Sequence, residues 1–296
     1  MTKPVIVAQK VSKTIKGKPI LTDISFEIYE GDCVALIGPN GAGKTTLMSL
    51  ILGNKLASEG KIAVQDLPVR HPSLRSKMAV LSQENRVPDN LKVQELLDFF
   101  ISIAKNPLSD AMIDDYLRFS TEQKKQLAGK LSGGQKRLLS FVLCLIGQPD
   151  ILFLDEPTAG MDTSTRQRFW EIIAQIKQAG KTIIYSSHYI EEVEHTAERI
   201  LVLHQGRLLQ DTTPFAMRRE ENEREVTLSK DYLDIIQKLP MVDDLTIKSD
   251  VLSFTTQDIE GVWEKLQAEG CKISDIEVQN KTLLHTLFDK TQEVDK

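Results

Sequence analysis

Over the first thirty residues apolar and polar positions alternate, as in "VIVAQKV" (5–11) and "ISFEIYEGD" (24–32), on either side of a "KGKP" turn at 16–19. A period of two buries one face of a strand and wets the other, so this stretch predicts antiparallel strands. The pattern then changes. "CVALIG" (33–38), "ILFLDE" (151–156) and "TIIYSSH" (182–188) are unbroken apolar runs bounded by Gly, Pro or polar residues, as parallel strands covered on both faces require. They predict the centre of an α/β sheet. Between the second and third, Phe169, Ile172, Ile173 and Ile176 recur at helical spacing and meet Gly180 as a stop, which completes a strand–helix–strand crossover.

From about 90 to 147 no such strand appears, and "NP" at 106–107 and "SGG" at 132–134 break the apolar pattern into helices, a helical insertion in the sheet domain. "ILVLHQGRLLQ" (200–210) reads as a hairpin, and the charge run "RREENERE" (218–225) as a solvated linker. Beyond it, Tyr232, Ile235, Ile236 and Leu239, then Ile259, Val262, Trp263 and Leu266, share a helical spacing. Alternating segments near 226–230, 245–255 and 273–278 supply strands around them. The predicted order is βαββαβ, a small ferredoxin-like unit. The expected division is therefore a first domain over 1–217, with its helical part at about 90–147, and an accessory α+β domain over 218–296.

Composition narrows this picture. Thirty-seven basic against 42 acidic residues, a formal charge of -5, lack the basic excess of a protein that coats nucleic acid. Cys33, Cys144 and Cys271 lie far apart with no CxxC pair, which fits neither a disulfide framework nor a zinc knuckle and suits a reducing cytosol. The strongest apolar run, "LLSFVLCLIG" (138–147), is far short of the ~20 residues a membrane span needs.

The chemistry starts at "GPNGAGKTT" (38–46). Gly38, Gly43, Lys44 and Thr45 satisfy G-x-x-x-x-G-K-[ST], with a buried strand before and an apolar helix after, as a phosphate loop requires. Gly38, Pro39, Asn40, Gly41, Ala42 and Gly43 form a loop whose glycines let main-chain N–H groups turn onto phosphate oxygens at a helix N-terminus. Lys44 then reaches the terminal phosphates as a point charge, Thr45 offers a hydroxyl to Mg²⁺, and Thr46 adds a donor. At the end of the buried strand "ILFLDEP" (151–157), Asp155 suits Mg²⁺ and Glu156 suits a general base for an attacking water, a role that contributes about 10² to 10⁴ in rate. In "LSGGQ" (131–135), Ser132 is a good N-cap, and Gly133 and Gly134 leave N–H groups bare, so this helix start is a second candidate anion site.

"GPNGAGKTT", "LSGGQ", "ILFLDEP", "AGMD" (159–162) and His188, in this order, resemble the ATP-binding cassette ATPases over roughly residues 1–212. The resemblance implies a phosphate-loop NTPase core with an antiparallel β subdomain and an inserted helical subdomain. It also implies ATP and Mg²⁺ as cofactors, and a homodimer in which Ser132, Gly133, Gly134 and Gln135 close over the nucleotide held by the partner copy. Gln83 in "LSQEN" would join Mg²⁺ and the water while sensing a membrane permease, His188 would contact the γ-phosphate, and Asp162 would cross between copies. The segment from 131 to 162 and the extra C-terminal domain resemble the exporter branch associated with drug, antibiotic, lipid or polysaccharide efflux. Such a protein would be cytoplasmic and peripheral on the inner face of the cell membrane through its permease. The rival reading is a soluble cassette without transport, as in cofactor assembly. One position departs from the family: Ile15 stands where an aromatic usually stacks on adenine, so the resemblance implies weaker and less selective base binding.

Overall fold

In the computed structural model, residues 3–84, 87–187, 190–220 and 224–280 are described; His188 lies outside them. Contacts divide the chain into two compact units, 1–212 and 213–296.

The first unit begins with the predicted hairpin, β1 (Pro4–Ile15) and β2 (Lys18–Tyr29), joined through Lys16 and Gly17, both at positive φ, the geometry that matches strand twist. β3 (Cys33–Ile37), buried throughout, leads through the glycine loop into α1 (Lys44–Ile51). β4 (Glu59–Val64), β5 (Leu67–Pro68) and β6 (Met78–Leu81) follow. β4 and β5 join the hairpin in one antiparallel sheet, order β2-β1-β4-β5.

The predicted helical stretch contains α2 (Val93–Ile103), α3 (Asp110–Leu117), α4 (Thr121–Lys125) and α5 (Gly133–Leu145). β7 (Ile151–Asp155), α6 (Thr163–Gln178) and β8 (Thr182–Ser186) form the expected crossover. After α7 (Ile190–Thr196), β9 (Arg199–His204) and β10 (Arg207–Thr212) make the hairpin read from "ILVLHQGRLLQ". The second sheet has the order β10-β9-β3-β8-β7-β6, parallel from β9 to β6. β3 and β7 thus lie inside the sheet, and both reach the same edge with their chemistry-bearing C-terminal ends, as open α/β sheets arrange their sites.

The run expected as a linker is largely structured: α8 (Pro214–Glu220) takes its first residues and β11 (Arg224–Ser229) its last. The physical reasons are local. Thr213 Oγ1 accepts the Ala216 N–H at 3.0 Å, Pro214 suits a first helical position, and Met217 is fully buried.

The second unit continues with a 3₁₀ turn into α9 (Leu233–Ile236), β12 (Asp243–Lys248), β13 (Val251–Thr256), α10 (Ile259–Ala268) and β14 (Ile276–Asn280). Its sheet is antiparallel, order β12-β13-β11-β14. Val226, Leu228, Ile236, Leu252, Phe254, Val262 and Leu266 form its own core.

Candidate nucleotide site

The loop between β3 and α1 is shaped by three glycines. A Cβ on Gly38 would overlap the carbonyl oxygen of Leu203, and one on Gly43 would sit 2.6 Å from the Leu21 side chain. Gly41 and Gly43 also adopt positive φ (84° and 106°), which is costly for any residue with a side chain. Gly43 is the N-cap of α1, with no side-chain acceptor at the helix start and no acidic residue in its first turn. The positive end of α1 is therefore offered outward to an anion. Pro39, Asn40 and Gly41 are exposed on the loop, and Ala42 is buried beneath it.

Lys44 follows at once. The residue is buried, and its ammonium donates to the carbonyls of Gly38 (2.7 Å) and Pro39 (3.1 Å), so the side chain lies curled inside the loop. Burial pushes its pKa down, opposed by the carboxylates of Glu156 and Asp155. Thr45 Oγ1 donates to Asp155 Oδ2 at 3.4 Å. These two hard oxygen donors, one from a helix start and one from a strand end, are the kind of set Mg²⁺ takes.

Beyond Asp155 the strand turns, because Glu156 is left-handed (φ 45°). Ser186 on β8, paired with Asp155 in parallel register, holds the turn: its hydroxyl donates to Asp155 Oδ1 and accepts the Glu156 N–H at 2.9 Å. Glu156 Oε2 accepts the Gln83 side-chain amide at 2.9 Å. Residues far apart in sequence are thus brought together: Thr45 to Asp155 and Gln83 to Glu156 by hydrogen bonds, with Lys44 in the field of both carboxylates.

Sequence reasoning missed two contributors. Ser186 is the buried hydroxyl that ends β8. Arg137 is 1% exposed: it lies on the core-facing stripe of α5 with Gly134, Leu138, Phe141 and Leu145, all buried. Its Nε donates to Pro157 O (3.0 Å), Nη1 to Ser82 O and Gln83 O (3.2 Å), and Nη2 to Asp155 O (2.8 Å) and Glu156 O (3.1 Å). A buried guanidinium is tolerated only with its donors met. A cation on a core stripe is the signal that identifies such a residue.

The second glycine helix start is built differently. Ser132 Oγ accepts the Gln135 N–H (3.2 Å), and Gln135 Oε1 accepts the Ser132 N–H (3.0 Å), a closed capping box. Gly133 is exposed, but Gly134 is buried, with space for a Cβ limited by Asp162 at 3.2 Å and Met161 at 3.4 Å of the same chain. Gly134 therefore serves packing against the start of α6 as well. Asp162 caps that helix, accepting from Ser164 Oγ (2.6 Å), Thr165 N (2.9 Å) and Thr165 Oγ1 (2.8 Å). Ile15, half-buried, ends β1 opposite Lys18, and Thr46 is half-buried in the first turn of α1.

Among the described residues no helix is long and apolar enough to cross a membrane.

Comparison with known proteins agrees with this geometry. Residues 21–159 match the family model described as ABC transporter. The chain is 35% identical over 227 residues, 74% of each chain, to Nod factor export ATP-binding protein I of Rhizobium sp. (strain N33). It is 36% identical over 220 residues to the protein of that name from Rhizobium johnstonii, covering 71% of this chain and 70% of the relative. In structure it is similar to an ATP-binding subunit of an ABC transporter (TM-score 0.66, 24% identity, 73% of this chain and 92% of the other). It is also similar to a dimeric ATP-binding cassette in a post-hydrolysis state with ADP and Pi (TM-score 0.62, 21% identity, 71% and 98%). The glycine loop, the Asp–Glu strand end and the LSGGQ helix start, joined to these likenesses, lead to one conclusion: the chain belongs to the ATP-binding family of the ABC transporters.

Proposed function

We propose that this chain hydrolyses ATP with Mg²⁺, and that two copies closing head to tail over two nucleotides energise a separate membrane permease for export. The observation that carries the hydrolytic reading is the meeting of the uncapped start of α1, with Lys44 and Thr45, and the strand end of Asp155 and Glu156 in one cleft. Phosphate oxygens replace the Gly38 and Pro39 carbonyls as partners of Lys44, and the loop N–H groups take the rest of the charge. Thr45 and Asp155 would hold Mg²⁺, which when bound neutralises charge on the phosphates. Glu156 accepts the proton of a water whose oxygen bonds to the γ-phosphorus as the bond to the bridging oxygen breaks, giving ADP and inorganic phosphate.

Gln83 donates to one oxygen of that base, which places its amide beside the position assigned to the water. Gln83 also stands at the edge of a cleft of about 580 Å³ whose walls include Met48, Leu52, Leu96, Phe100 and Leu143. We place a cytoplasmic segment of the permease there, with the protein peripheral on the inner face of the membrane. His188 is assigned to the γ-phosphate on its motif alone, since it lies outside the described residues. The names of the export relatives favour outward transport. The second unit we read as a ferredoxin-like accessory domain that stabilises packing or the dimer, supported by its βαββαβ order and sheet order. The aliphatic Ile15 against the base supports looser adenine selectivity.

The test is phosphate release by purified protein with Mg-ATP and Mg-GTP, beside Glu156→Gln and a membrane co-purification. Expected are hydrolysis of ATP with some of GTP, loss of about 10² or more in Glu156→Gln with nucleotide binding kept, an ATP-held dimer in that variant, and an integral membrane protein retained on the tagged chain. Full activity in Glu156→Gln refutes the assigned base. A chain recovered with no membrane protein refutes the permease in favour of a soluble cassette.

A further inference from the structure

The parallel ladder between β6 and β7 ends at the pair Leu81 and Leu154. One residue beyond, the two chains carry the groups that matter: Ser82 and Gln83 on one side, Asp155 and Glu156 on the other. Arg137 takes over where the ladder stops. Its planar fork bonds to the carbonyls of Ser82 and Gln83 with one amino group and to those of Asp155 and Glu156 with the other. The backbones are held a guanidinium apart, which leaves the side chains of Gln83 and Glu156 free to meet each other at 2.9 Å in the cleft. Arg137 makes this bridge from α5, five residues after Ser132, the N-cap of that helix.

We propose that Arg137 is a positioning residue that sets the geometry of Gln83 and Glu156 and ties both to the α5 helix, so that it governs the rate of the chemical step and not nucleotide affinity. The proposal rests on the hydrolytic reading above. None of these described bonds goes to the phosphate loop, so binding and turnover separate. A lysine cannot substitute: its ammonium is a point charge with three donors and spans neither pair of carbonyls as a fork does.

The full-length Arg137→Lys and Arg137→Gln variants test this, the second because a neutral amide avoids leaving a poorly paired charge buried if the first fails to fold. Four quantities are read: dissociation constant for a fluorescent ATP analogue, kcat and KM for Mg-ATP hydrolysis, and amide hydrogen exchange across 78–84 without nucleotide. Expected are a kcat lower by about 100-fold, the scale of a 1 Å misplacement, with KM and the dissociation constant within about threefold. Exchange at 82–84 quickens while that of α1 does not change. The proposal is overturned if Arg137→Lys keeps kcat within about threefold of the unaltered protein. It is equally overturned if KM and affinity worsen together with kcat, or if exchange at 82–84 is unchanged. Should the unaltered protein neither bind nor hydrolyse nucleotide, the hydrolytic reading fails by itself, and the exchange result still decides whether Arg137 holds the two segments.

Discussion

Two helices of this protein begin at glycines, and they begin differently. α1 starts at Gly43 with no side chain answering its first N–H groups, whereas α5 starts at Ser132 inside a capping box completed by Gln135. An uncapped helix start leaves its donors to solvent or ligand, so the α1 tip is the better placed of the two to receive an anion. The α5 tip is content alone. A phosphate reaching it finds the exposed Gly133 and a serine hydroxyl already accepting one bond. On the proposed reading, strong binding resides in a single copy, while closure between two copies is the weaker, reversible interaction.

The largest effect is expected at Lys44. Lys44→Ala should raise the dissociation constant for ATP about 100-fold or more, since losing one partner of a desolvated charged contact costs on the order of 3 kcal/mol; fluorescent nucleotide titration checks this, and an unchanged affinity would remove α1 from the leading role. Next, Ser132→Arg places a bulky cation at the α5 tip. It should leave the affinity of isolated copies within about twofold while hydrolysis falls at least about tenfold, the pattern of an interaction made only on the way to reaction. Steady-state phosphate release beside equilibrium binding separates the two.

The smallest effect sharpens the contrast with a third helix start, that of α6, which is capped by a carboxylate. The Ser164 hydroxyl, then the Thr165 N–H and hydroxyl, hold the Asp162 carboxyl well below its ordinary value. A carboxyl depressed on folding adds stability above its unfolded value of 3.8 and loses it as pH falls through the folded value. Asp162→Asn keeps the capping oxygen and removes the charge. Denaturant midpoints should therefore show a modest deficit at pH 7 that shrinks below about pH 4.

Much of the site is legible in the residues because its chemistry depends on local spacing. Four residues from Gly38 to Thr45 specify a loop and a helix start, and an apolar strand ending in Asp155 and Glu156 specifies an edge. What cannot be read is whatever closes in space. Arg137 looks like a surface cation beside Lys136 until the phase of α5 turns it inward, and the strand-ending Ser186 shows its role only once β7 lies beside it. The fold behaves likewise. β3, β7 and β8 announce themselves as unbroken apolar runs, whereas β4, β5 and β6 have mixed faces and short lengths. α9 stops at Ile236 although the helical spacing runs on to Leu239, because Pro240 disfavours helical backbone in the residue before it. The charge run at 218 belongs to α8 because Met217 is buried, a fact that no tally of charges contains.

The squeeze of Gly38 against Leu203 carries a lesson for anyone wishing to harden this protein against heat. Replacing glycines is a common route to thermostability, gaining about 0.4–1 kcal/mol where the backbone permits. At Gly38 that route is closed by the neighbouring strand, and evolution faces the same wall as the engineer. Gly147, where an added methyl would meet nothing within 4 Å, is the place to begin.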